Sequence, residues 1–454
     1  MTERKCFLNH IFIPPVLQHQ LKQVWKLSVP SILTQITSIL MQYIDSAMVG
    51  NLGANASAAI GLITTSTYLF GGISAAISAG FSVQVAQYIG ANQSHDARRV
   101  VRHGLVTTLL FSIGLTAIGI AISGKLPIWL GGEQVLWQDS SRYFFVYSAA
   151  LPFMLLNQLA ASCLQCSSNM VVPSVLNAAM CLLDILLNAI LIPRYGVLGA
   201  ALGTAGAMAI VSILMLFFCC VRSTVLRIDP KEPCPFDRSI LKRALKIGMP
   251  VGTQEIAVTG AMIVATRIIA PLGTVSIAAH SFAVTAESLC YMPGFGIAAA
   301  ATTLVGQSAG AGEYDRAKKL SYISTAFGCC FMSVTAIIMY FACPFVFQLL
   351  TPDLQVRALS TQVLRIEMFA EPLYAISIVA SGALRGVEDT LIPSLMNLFS
   401  IWVVRLGLSI LLVGRLGLIG AWVAMAIELS VRGLLLLYRL RHSKHFSPSS
   451  ASSS

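Results

Sequence analysis

Apolar runs of twenty residues or more, parted by short polar stretches, recur along the whole chain. They fall near residues 27–49, 56–88, 101–123, 143–165, 172–193 and 197–220, then near 247–269, 276–308, 320–344, 363–384, 392–413 and 418–439. A bilayer-spanning helix needs about 20 mostly apolar residues, so the pattern predicts an all-α integral membrane protein with twelve transmembrane helices. The second and eighth runs are long enough to tilt or to extend beyond the bilayer. The connections are too short for a sizeable soluble domain. The stretch Val16 to Trp25 reads as an interfacial helix ahead of the first span.

Composition supports this and charge adds direction. Only 11% of the 454 residues are charged, against roughly 25% in soluble proteins, and mean hydropathy is +0.77. The net charge of +11 is not a nucleic-acid footprint, because Lys and Arg gather on alternate loops. Lys22 and Lys26 precede the first span, Arg98, Arg99 and Arg102 follow the second, and Arg222 to Arg243 fill the middle. Arg316, Lys318 and Lys319 follow the eighth span, and Arg439, Arg441 and Lys444 follow the twelfth. The positive-inside rule then puts both termini in the cytoplasm of a multi-pass plasma (inner) membrane protein. The N-terminal segment is too polar and Pro-broken for a secretory signal. Cysteines lie mostly within apolar helices, where they pack as small hydrophobes; Cys163-Leu-Gln-Cys166 has no second pair to make a metal site.

The two halves repeat. An offset of 220 places Pro30 over Pro250, Leu52-Gly53 over Leu272-Gly273, Pro152 over Pro372, and Asn177 over Asn397. It also lays VAQYIGANQSHDARR (85–99) over VGQSAGAGEYDRAKK (305–319). Six helices per half give both lobes one orientation, related by an axis along the membrane normal, with a path at their interface. The expected organisation is a cytoplasmic segment 1–23, an N-lobe 24–220, a cytoplasmic linker 221–243, a C-lobe 244–440 and a disordered Ser-rich tail 441–454.

Buried charge marks the candidate chemistry. A carboxylate at a helix centre costs about 2.5–3.5 kcal/mol on insertion scales, so Asp45 must face protein or water, or carry a proton. Gln35, Ser38, Gln42 and Asp45 share one face of the first helix. In the fifth, Asn177, Asp184 and Asn188 share another. If the two helices face each other, Asp45, Asp184 and Asn188 form one oxygen-rich site, where two neighbouring carboxylates cannot both ionise cheaply. Such a site takes up H⁺ or Na⁺. The repeat does not copy it: the 220 offset puts Asp45 over Ala265 and Asp184 over Val404. The second half instead carries Glu255, Glu287, Glu367 and Glu371, with Arg405 as a cation and His280 as a packing or relay residue; Glu255, Glu287, Glu371, His280 and Arg405, with Gln35 and Gln42 of the first helix, are secondary candidates for substrate contact.

A P-loop and an H-E-x-x-H stretch are both missing from the sequence, so an enzyme is not expected, nor any cofactor beyond the coupling ion. IDSAMVGNLG (44–53), the doubled VAQYIGA and VGQSAGAG, GVLGAALGT (196–204) and above all GALRGVEDTLIPS (382–394) resemble the MATE family of multidrug and toxic-compound extrusion transporters. The resemblance implies two six-helix lobes, alternating access, and export of amphipathic, often cationic organic molecules in exchange for H⁺ or Na⁺. It implies an ion-coupling role for Asp45. It implies the same for Asp184-Ile-Leu-Leu-Asn188, where acid and amide are exchanged relative to the usual pattern. Glu255 lies about one turn before the helix-7 glutamate of the NorM-like branch, and the weight on the N-lobe resembles the DinF-like branch. The expectation is a monomeric antiporter acting on small organic molecules within the lipid bilayer. The alternative is a lipid-linked precursor flippase of similar two-lobed plan.

Overall fold

The computed structural model describes residues 15–229 and 235–447. Expectations for the first fourteen residues, for 230–234 and for the Ser-rich end at 448–454 fall outside the described residues. The N-half comprises α1 (Pro15–Gly50), α2 (Ala54–Gly90), α3 (Ser94–Ile122), α4 (Trp137–Cys166), α5 (Val171–Tyr195) and α6 (Val197–Phe217). The C-half comprises α7 (Arg238–Ile269), α8 (Thr274–Gly310), α9 (Tyr314–Leu350), α10 (Leu354–Met368), α11 (Glu371–Gly386), α12 (Leu391–Phe399), α13 (Leu406–Leu416) and α14 (Leu418–His442). Among the described residues there is no strand.

Eleven spans in the described residues are continuous, long and apolar enough to cross a membrane, α12 and α13 counting as one. The remaining span, read from sequence as one helix over 363–384, is the broken pair α10–α11. The chain turns at Phe369 and Ala370, closed by Ala370 N–H donating to the Glu367 carbonyl at 2.7 Å. Pro372 has no N–H to continue the ladder. Its repeat mate Pro152 lies inside an unbroken α4, so proline permits this break without imposing it. The separate interfacial helix expected at Val16 to Trp25 is absent as such: α1 runs unbroken from Pro15 through Pro30. Thr34 Oγ1 donates to the Pro30 carbonyl at 3.0 Å, one turn beyond the point where proline leaves the Lys26 carbonyl without its ladder donor.

Backbone conformation carries the repeat further than residue identity does. Gly53 and Gly273, Asn92 and Gly312, and Ser168 and Glu388 are left-handed pairs at the same offset. Gly196 and Gly417, both at φ 58°, are one residue further apart than these. The extra residue is taken up by a π-helical turn at Ser400–Arg405 between α12 and α13, a usual way to absorb an insertion within a helix. Counted back from the matched glycines, Arg405 and not Val404 stands where α5 has Asp184. The expected Val404 register is thereby corrected.

The lobes join through α1 against α8, α2 against α7, and α2 against α8. They seal at the end of the bundle where α1 starts and α14 ends, the end that carries the Lys and Arg clusters. A Cβ built on Gly90 would lie 1.9 Å from the Gln307 carbonyl oxygen, and one built on Gly310 would lie 1.9 Å from the Gln87 carbonyl oxygen. Only glycine permits that backbone approach. Towards the other end the lobes touch where Tyr43 Oη donates to the Thr285 carbonyl at 2.7 Å.

Candidate functional site

The first-half site forms where α1, α5 and α6 converge. Asn188 Nδ2 donates to Asp45 Oδ1 at 3.0 Å and to Asp184 Oδ2 at 3.1 Å. Asp184 and Asn188 are fully buried, whereas Asp45 is half-buried. The two carboxyls lie within hydrogen-bonding reach of each other, a contact that becomes a bond only when one carries a proton. Tyr143 and Cys181 also face the pair. Among the described residues no Lys or Arg forms an ion pair with either acid. Asp184 Oδ1 and Asn188 Oδ1 are buried without a partner. A small cavity, about one water in volume, adjoins this region and is lined by Tyr143, Tyr147, Met154 and Thr204.

The small-residue stretch at the start of α6 is what admits Asn188. A Cβ on Gly203 would lie 2.0 Å from Asn188 Oδ1. Gly203→Ala is therefore expected to swing the amide off both carboxyls. Overpacking of this kind costs about 1–3 kcal/mol, and the thermal unfolding midpoint of the purified protein should fall accordingly.

The second-half acids cluster as well. Glu287 and Glu367 are in carboxyl–carboxyl contact, with Glu371 beside them. Glu367 and Glu371 are fully buried, and all four of their carboxyl oxygens lack a hydrogen-bond donor. Glu367 takes the repeat position of Tyr147. Arg405, brought round by the π-turn, faces Glu287, Glu367 and His280, and its Nη2 lies 2.8 Å from Met425 Sδ. A guanidinium thus replaces the first half's central acid. His280 packs edge-on against Trp422 at 5.8 Å. Nearby, Glu428 is buried and paired with Arg432 at 3.0 Å, and Arg432 lies over the Tyr374 ring at 5.1 Å.

Other expected residues lie apart from these clusters. Gln35 is half-buried and Gln42 exposed, and Asn177 sits two turns along α5 from Asp184. Glu255 faces α2 instead: a Cβ on Gly72 would meet the Glu255 Cβ at 2.7 Å, and Arg385 is its charged neighbour. Sequence reasoning did not single out Tyr143 or Gly203. It weighed Glu367 without placing it in a site, although its spacing of four from Glu371 was a usable signal.

Two repeated six-span lobes, each enclosing buried carboxyls, have the architecture of a membrane transporter. The chain belongs to the MatE family, whose profile matches residues 30–190 and again 250–411, once per lobe. It is 28% identical over 442 residues to a probable multidrug resistance protein NorM from Mannheimia succiniciproducens, covering 92% of this chain and 93% of that one. It is 25% identical over 426 residues to a protein of the same description from Thermotoga maritima, covering 92% and 91%. A solved MOP superfamily transporter from Pyrococcus furiosus superposes with a TM-score of 0.88 at 21% identity, covering 93% of this chain and 95% of that one; the fold is shared.

Proposed function

We propose that the protein is a multidrug exporter that exchanges amphipathic, cationic organic molecules for an inward-moving ion. Its basic end, with both termini, faces the cytoplasm of the plasma membrane. The bundle sealed at that end is then the outward-facing state. The observation that carries the reading is the Asn188 amide held between Asp45 and Asp184, two acids that no Lys or Arg neutralises by an ion pair among the described residues.

The chemistry favours a proton as the ion. Asn188 turns its N–H₂ toward the carboxyls and its Oδ1 toward Gly203, so the amide offers donors at the site and no oxygen for Na⁺. A proton entering from outside would sit between Asp45 and Asp184, cancel one negative charge and weaken the hold on a cationic substrate. Release of substrate outward and of the proton inward completes the cycle. Glu287, Glu367 and Glu371 supply a second set of buried carboxyls beside the path, tempered by Arg405.

The test is efflux of ethidium from proteoliposomes with each gradient imposed alone. An acidic outer side should accelerate efflux while an outward-high Na⁺ gradient at equal pH does not. Acceleration by Na⁺ alone would replace the proton in this scheme, and indifference to both would remove the exchange itself.

A further inference from the structure

The inner seal is built twice, once per lobe, and the two copies differ in charge. Gln87 Nε2 donates to the Gly386 carbonyl at 3.0 Å. At the mate position, Gln307 Nε2 donates to the Cys166 carbonyl at 2.8 Å. Each bond crosses from one lobe to the other. Around Gln87 the clasp is ionic: Arg243 Nε donates to Glu388 Oε1 at 2.7 Å, the same guanidinium bonds Gln87 Oε1, and it lies over the Tyr88 ring at 5.8 Å. Around Gln307 the positions matching Arg243 and Glu388 are Gln23 and Ser168. Ser168 Oγ exchanges hydrogen bonds with the Gln307 amide at 2.9–3.1 Å. Gln23 instead contacts His19 at 3.1 Å, and its Oε1 is buried without a partner. Where a guanidinium fills one side, a cleft of about 460 Å³ opens on the other, lined by Gln23, Lys26, Gly90, Ser168, Gln307 and Arg316 among others.

We infer that the inner gate opens asymmetrically. It parts first along the neutral Gln307–Ser168 seam, where the cleft becomes the cytoplasmic mouth, and it turns about the Arg243–Glu388–Gln87 clasp. Charge-assisted hydrogen bonds are roughly twice as strong as neutral ones, and the clasp joins both lobes through one side chain. The neutral side has two uncharged partners and a cleft already beside it. This rests on the reading that the basic end opens inward during transport, but not on which ion drives it.

The experiment uses spin labels on two matched pairs of exposed positions flanking the seal. Gln18 with Asp315 spans the neutral seam, and His95 with Arg238 spans the ionic clasp. Electron–electron distance distributions are recorded with and without an imposed gradient, so that lobe motion is read apart from export. The long-distance population should be larger for Gln18/Asp315 than for His95/Arg238. Arg243→Gln should raise the His95/Arg238 opening to match. Installing the clasp on the other side, Gln23→Arg with Ser168→Glu, should suppress the Gln18/Asp315 opening and slow ethidium export about tenfold. The left-handed backbone at Ser168, φ 65°, tolerates the change, because Glu388 holds φ 62°. Equal opening of both pairs in the parent protein overturns the inference, as does larger opening at the clasp or a transplanted clasp that changes neither distance nor rate.

Discussion

Asp45→Asn is expected to uncouple the protein: ethidium efflux from proteoliposomes should lose its response to an outer acid gradient and fall about 10–100-fold. The carboxyl shares the Asn188 amide with Asp184, and it is the half-exposed member of the pair. In the proposed exchange, proton entry passes through it. Asparagine keeps the size but cannot carry the exchangeable proton, and it leaves Asp184 as the only acid. The magnitude is that of removing a hydrogen bond to a charged partner, about 1.5–3 kcal/mol. Insertion and folding should be unaffected, since the amide can still bond its neighbour. Asp184→Asn should impair export too, and the two losses should not add, because both substitutions disable one shared site.

The second large effect is mechanical. Gly310→Leu should hold the basic end open and abolish export even though the acid site is intact. In the sealed state a Cβ at this position would overlap the Gln87 carbonyl oxygen at 1.9 Å, and Gly90 meets the Gln307 carbonyl at the same distance. The obstruction is backbone, so no rotamer change relieves it. Inverting a population from 1:99 to 99:1 takes about 5.5 kcal/mol, within reach of such an overlap. The check is thiol labelling of a cysteine placed at Thr303, fully buried two turns inside the seal: labelling from the cytoplasmic side should become fast in Gly310→Leu and stay slow in the parent protein. Slow labelling in both would mean the glycines are not what permits closure.

Much of the fold was legible because the bilayer imposes its own length on apolar runs. The repeat was legible because paired turns need the same backbone, as at Gly53 and Gly273. The break between α10 and α11 was not, since Pro152 and Pro372 look alike in sequence while only one interrupts its helix. The π-turn was hidden for a related reason. A single inserted residue leaves the hydrophobic run intact and only rotates the helix beyond it, so residue identity points to Val404 and only the matched turn at Gly417 places Arg405 there. In the site, Asp45, Asp184 and Asn188 could be joined from helical periodicity. Gln35, Gln42 and Asn177 shared their faces but not their depth, and periodicity carries no depth. Tyr143 and Gly203 lay on other helices, and their approach depends on packing that spacing within one helix cannot express.

The most direct measurement is proton release on substrate binding to purified protein in weakly buffered detergent. If proton and cationic substrate compete for one charge at the Asp45–Asp184 pair, ethidium binding should expel close to one proton per protein, and Asp45→Asn should expel none. Binding with the same proton release in both proteins, or with none in either, would contradict the exchange at this pair.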